Sequence, residues 1–124
     1  MSRTGLSIQS VQDGSDGAVK ILRLEGYVDA NTFGAFETAL RGAVSDGARS
    51  VVIDARKLAF ASSMAWGLLL SIHRKLSIDG GGVVVAGLSP EMSSVFRIMG
   101  LNNLLNVFPD PDAAAAALSG AKKK

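Results

Sequence analysis

The stretch VVIDARKLAFASSMAWG, residues 51–67, carries the change of pattern on which the fold turns. Val51, Val52 and Ile53 are consecutive apolar residues, without the alternation of a half-exposed strand. Ser50–Asp54 therefore reads as a strand covered on both faces, central in its sheet. Ala55 to Ala61 reads as a short loop. Beyond it, Ala65, Leu68, Leu69, Ile72 and Leu76 follow the period of an amphipathic helix, which Gly80, Gly81 and Gly82 stop. Ser62 or Ser63 caps its start, because a hydroxyl there accepts a backbone N–H that has no partner within the helix.

On the N-terminal side, Leu6–Val11 and Ala18–Leu24 are β-prone runs separated by the turn formers Asp13, Gly14, Ser15, Asp16 and Gly17, which predicts a hairpin. After Gly26 the apolar residues Phe33, Phe36, Leu40 and Val44 recur at helical spacing, with Asp29 or Asn31 as N-cap and Gly47 as terminator. On the C-terminal side, Val83–Val85 repeats the buried-strand pattern. Ser89 as N-cap and Pro90 at the first helical position then open a helix with Met92, Val95, Phe96 and Met99 on its apolar face, ended by Gly100. Leu104–Phe108 reads as a last strand. Pro109, Asp110, Pro111 and Asp112 lead into an Ala-rich helix, Ala113–Leu118, with its acidic residues at the positive end. The order is ββαβαβαβα. It predicts an α/β fold with a mixed sheet of four or five strands and right-handed crossovers, in which Val51–Ile53 and Val83–Val85 are parallel neighbours. The whole chain, 1–124, reads as one domain, with residues 119–124 a disordered tail.

Composition narrows the function. The chain of 124 residues has no Cys and one His, so cysteine-based metal sites and disulfide scaffolds are excluded, and no cofactor or metal is expected. Its 13 Lys+Arg against 11 Asp+Glu include Lys122, Lys123 and Lys124, and without these three the balance is 10 against 11. The basic excess is thus terminal, with no basic stripe interleaved with aromatics, which argues against nucleic acid as a partner. No run reaches the roughly 18 apolar residues of a spanning helix and the first residues lack a signal-peptide core, so no membrane insertion and a cytoplasmic location are expected.

Enzymatic readings fail on geometry. His73 lies about 15 Å down the second helix from Ser63, at 1.5 Å rise per residue, so it cannot serve as base to that hydroxyl. The surrounding Ala61-Ser62-Ser63-Met64-Ala65 is not the Gly-x-Ser-x-Gly elbow of serine hydrolases. Gly80-Gly81-Gly82 runs from helix to strand, the reverse of a phosphate-binding loop. No catalytic residue is assigned. What remains is a pair of serines where a helix begins, a position at which a phosphoryl group is stabilised by free N–H groups and by the helix dipole. The simpler reading is that they only cap.

Leu24-Glu25-Gly26-Tyr27-Val28-Asp29, Ile53-Asp54, Phe60 through Gly67, Gly81-Gly82, Leu88-Ser89-Pro90 and Phe96 through Leu101, in this order, resemble the STAS-domain proteins, and within them the anti-sigma factor antagonists of bacteria. The resemblance covers nearly the whole chain and implies a STAS-like sheet with its helices mainly on one face. Members read Phe, any residue, Asp, Ser, Ser, Gly, any residue, Gly at the second-helix entry, and the first of those serines is phosphorylated. Counted from Phe60, that serine is Ser63, with Ser62 the alternative. This chain departs from the pattern with Ser62 for Asp, Met64 for the second Ser and Ala65 for Gly.

The resemblance implies a phosphorylation-switched binding module that sequesters an anti-sigma factor, itself a serine kinase, and so releases a sigma factor, with a serine phosphatase reversing the switch. The altered box leaves a second reading: a STAS scaffold subunit, never phosphorylated, in a signalling assembly or on the cytosolic face of a transporter. Asp29 matches a family residue that helps engage the kinase, and Asp54 one that organises the loop after the central strand. Asp29, Ser62, Ser63, Met64 and Trp66 are then the expected partner-binding residues, with Trp66 as aromatic anchor or, alternatively, as core.

Overall fold

The computed structural model describes residues 5–13 and 18–122. Five strands, β1 (Leu6–Asp13), β2 (Val19–Val28), β3 (Ser50–Ala61), β4 (Gly82–Ala86) and β5 (Asn106–Phe108), form one sheet in the order β1-β2-β3-β4-β5. β1 pairs antiparallel with β2, and every later neighbour is parallel. Val51–Ile53 is central and pairs with Val83–Val85, as the unbroken apolar runs require of strands buried on both faces. The turn expected at Asp13–Gly17 lies almost wholly outside the described residues.

Four helices, α1 (Phe33–Ser45), α2 (Ser63–Ser77), α3 (Pro90–Ile98) and α4 (Pro111–Lys122), complete the predicted order, with a short 3-10 turn at Leu101–Asn103. Three of them share one face. Phe36 and Leu40 of α1, the stripe Ala65, Leu68, Leu69, Ile72 and Leu76 of α2, and Met92 and Phe96 of α3 pack on Leu22, Leu24, Val51, Ile53, Val83 and Val85. α4 covers part of the other face, where Ala114 meets Val19, Ile21, Val52, Val84 and Ala86. It runs to Lys122, beyond the expected end at Leu118, so part of the anticipated tail is helix.

Capping chemistry sets the helix ends. Ser62 Oγ accepts from Ala65 N (3.3 Å) and Ser89 Oγ from Met92 N (3.1 Å), each with extended backbone at the cap. α1 closes through Gly47, left-handed at φ 100°, with Ala48 N donating to Ala43 O. Its start differs from expectation: Thr32, not Asp29 or Asn31, occupies the cap position, and Asp29 orders the turn before it. His73 joins α2 to β4, its Nδ1 accepting from Val83 N at 2.9 Å. The ring proton therefore sits on Nε2. A side chain at Gly82 would meet that ring at 2.8 Å, which is why glycine leads β4.

Three further expectations are corrected. Ala55–Ala61 is not a loop but the second half of β3, which pairs with β2 through two register shifts, one between Arg23 and Glu25 and one between Gly26 and Tyr27. Each shift is a bulge that admits one more residue of β3 than of β2. Asp54 is thereby mid-strand. On α3 only Met92 and Phe96 are buried; Val95 and Met99 stay exposed because the helix is short and lies at the β5 edge of the sheet. The last strand is likewise shorter than Leu104–Phe108: Leu104 follows the 3-10 turn and is exposed.

Candidate functional site

Parallel neighbours deliver their C-terminal ends to one edge of the sheet, where binding sites of open α/β folds collect. Here β2 hands over to α1 at Asp29, and β3 hands over to α2 at Ser62. The two junctions are tied by a backbone bond, Ser62 N to Val28 O at 2.9 Å. Asp29 Oδ1 accepts from Asn31 N (3.0 Å) and Thr32 N (3.2 Å), while Thr32 Oγ1 donates to Tyr27 O (2.7 Å) and accepts from Asp29 N (3.0 Å). Asp29 thus shapes its loop through one carboxylate oxygen, and it remains half-buried.

The two serines have different tasks. Ser62 is half-buried, with its hydroxyl engaged as the cap, whereas Ser63 is exposed at the first helical position and, among the described residues, its hydroxyl has no hydrogen-bond partner. Met64 follows, 56% exposed, and Phe60 at the end of β3 is 45% exposed. Ser63 and Met64 point outward because the next two side chains, Ala65 and Trp66, point in. Trp66 is 2% exposed and packs edge-on against Phe96, ring centroids 5.3 Å apart at 74°. The expected docking anchor is therefore core. A phosphoryl group on Ser63 would meet the free N–H groups of the first turn, which carries no acidic side chain.

Asp54 does not reach this edge. It is 4% exposed on the α4 side of the sheet, where its Oδ1 accepts from Arg56 Nε (3.0 Å) and from Arg56 N (3.2 Å). Its Oδ2 accepts from Arg56 Nη2 (2.9 Å), with Arg23 Nε at 3.6 Å. Burial pushes its carboxyl upward, but the hydrogen bonds and charge of Arg56, helped by Arg23, outweigh this and hold it below the ordinary 3.8. Hydrogen bonds to Asp54 push Arg56 upward, and the more distant Asp110 and Asp112 add to this. A carboxyl depressed in the folded state contributes stability above its unfolded value and loses it as pH falls through the folded value. Asp54→Asn should thus be less stable than wild type by about 2 kcal/mol at pH 7. Urea denaturation should show the gap closing below about pH 4.

Arg56 escapes the sequence reading because residues 55–61 read as loop, and Arg23, in a run that reads as strand, has no visible partner along the chain. Once Asp54 and Arg56 stand two apart on one strand, their shared face follows directly. Phe60 is a further exposed apolar side chain at the edge that carries Ser62 and Ser63, signalled only by being aromatic shortly before the helix entry.

The C-terminal ends of β2 and β3 thus bring the Asp29 turn, the capping Ser62 and the solvent-facing Ser63 to one edge of a single mixed α/β sheet. The chain belongs to the STAS domain family, which matches residues 10–114. It is 32% identical over 109 residues, 88% of this chain and 93% of the other, to BtrV of Bordetella bronchiseptica, a protein named for anti-sigma factor antagonism. Among solved structures it is similar to an anti-sigma factor antagonist from Mycobacterium paratuberculosis (TM-score 0.81, 23% identity, 93% of this chain and 95% of that one). It is also similar to the Bacillus protein SpoIIAA in its unphosphorylated form (0.77, 20%, 92% and 97%) and its phosphorylated form (0.66, 22%, 90% and 99%). Among the described residues no helix is long and apolar enough to cross a membrane.

Proposed function

We propose that the protein is an anti-sigma factor antagonist: a cytoplasmic binding module, without catalysis of its own, that sequesters an anti-sigma factor with serine-kinase activity and is switched off when that kinase phosphorylates Ser63. A phosphatase restores binding. The observation that carries the reading is the exposed, unengaged Ser63 hydroxyl at the first position of α2, flanked by exposed Met64 and by the Asp29 loop. Ser62 has its hydroxyl committed to Ala65 N, which favours Ser63 over Ser62 as acceptor. The likeness to BtrV and to SpoIIAA, a protein solved in both phosphorylation states, supports the reading as an anti-sigma factor antagonist.

The mechanism is electrostatic. A phosphoserine brings a charge of about −1.5 to −2 into the middle of a small surface fitted to a neutral hydroxyl. The helix N-terminus tolerates that charge within the protein, while the partner meets repulsion and must strip water from it. Asp29, Ser62 and Met64 make up the rest of the docking surface, Met64 through adaptable apolar contact.

Isothermal titration of the anti-sigma factor that copurifies from the host tests this. Ser63→Asp should weaken the complex at least tenfold, about 1.4 kcal/mol, while Ser63→Ala should bind nearly as wild type. Equal affinities for the two variants would remove Ser63 from the interface and favour a scaffold that is never phosphorylated.

A further inference from the structure

The α4 side of the sheet is only half covered. α4 lies over Val19, Ile21, Val52, Val84 and Ala86, and beyond it toward the C-terminal ends of β2 and β3 the same face is an open groove of about 510 Å3. Polar side chains predominate in its lining, Ser7 and Gln9 from β1, Arg23 and Glu25 from β2, Arg56 and Lys57 from β3, with Asp54 at its base, while Leu24 and the stems of the longer side chains add apolar surface. Strict alternation along β3 would send Lys57 to the helix side. The bulge opposite Arg23 and Glu25 prevents this: Ala55 and Leu58 both face the helices, so the two residues between them, Arg56 and Lys57, both face the groove.

We propose that this groove binds a small oxyanion, a phosphate or a carboxylate, between Arg23, Arg56 and Lys57. Asp54 does not compete for these cations as a free acid would. It is buried, both its oxygens are engaged by Arg56, and its effect is to fix that guanidinium in place with its remaining N–H donors uncommitted. Gly87 contributes from β4's end, because a side chain there would overlap the Arg56 stem. Asp54 is one carboxylate shared by two cations, Arg56 through both its oxygens and Arg23 at 3.6 Å, and among the described residues no carboxylate lies within ion-pair distance of Lys57. In the groove's own lining three cations face two carboxylates, with Asp110 and Asp112 acting on Arg56 from farther away, and the exposed lining carboxylate, Glu25, opposes an anion and limits the site to small ones.

The test is a 15N NMR titration of the full chain with sodium phosphate and, separately, sodium succinate, ionic strength being held constant with chloride. Saturable shifts clustered on the amides of Gln9, Arg23, Asp54 and Lys57 are expected with at least one of the two. Saturation by phosphate alone, by succinate alone or by both assigns the class of anion. Lys57→Gln and Arg23→Gln should each weaken binding about fivefold, and Glu25→Gln should tighten it, with each variant's own spectrum reporting its fold. No saturable shift with either anion would overturn the proposal, as would shifts that chloride reproduces, or unchanged affinity in both Lys57→Gln and Arg23→Gln.

Discussion

Replacing Trp66 with alanine should cost about 4 kcal/mol of folding stability, read as a lowered urea midpoint at unchanged slope. The side chain is almost wholly enclosed, and its indole meets the edge of Phe96 in the seam between α2 and α3. Truncation leaves a cavity that the close-packed helix face cannot fill, and it also removes the aromatic pairing, worth about 1 kcal/mol by itself. Trp66→Phe should recover more than half of the loss. Met64→Ala, two residues earlier on the exposed side, should stay within about 0.5 kcal/mol of wild type and yet weaken partner binding. If Trp66→Ala were as stable as wild type, the buried placement of this residue would be wrong, and the docking role expected from its type alone would return.

A comparable loss, about 3 kcal/mol or more, is expected from Gly81→Ala. A Cβ at this position would overlap the carbonyl oxygen of Arg49, and neither partner is a side chain that can swing away. The same carbonyl accepts from Gly82 N at 3.2 Å, and Gly81 N donates to Leu76 O at 3.0 Å. Relief of the overlap must therefore pull β4 from the start of β3, or unwind the end of α2. Gly80→Ala is the control. Gly80 is left-handed at φ 86° but faces open space, so only the conformational penalty of about 1 kcal/mol applies. Thermal unfolding of the two variants side by side separates crowding from backbone strain, and equal midpoints would contradict the close approach at Gly81.

Much of this architecture could be read from the sequence because local chemistry and tertiary demand agree. Val51–Ile53 and Val83–Val85 are too apolar to be edge strands, Ser89-Pro90 marks a helix start by capping and by fixed φ, and Gly47 and Gly100 mark helix ends. The misreadings share a cause, which is that pairing partners are invisible along the chain. In β3 the two bulges destroy the period that would have revealed a strand through Ala61, and with it the shared face of Asp54 and Arg56. Asp29 could be placed beside the serines in outline, but its use as a turn former depends on Thr32 and Tyr27. Trp66 was legible in part. It precedes Leu69 by three and Ile72 by six, inside the buried stripe, and its residue type spoke more loudly for an interface than its spacing did for the core.

The inward anchoring of Ala65 and Trp66 has a consequence for the kind of signal the serine edge can carry. The turn that bears Ser63 is anchored to the interior from directly beneath, so displacing it would pull Ala65 and Trp66 out of the core. A phosphoryl group on Ser63, as proposed above, would therefore act through what the surface costs to approach, with the turn beneath it held in place. Information written in this way is read in the rates of encounter and escape of the partner, not in an internal rearrangement, and it fades with added electrolyte as any exposed charge does.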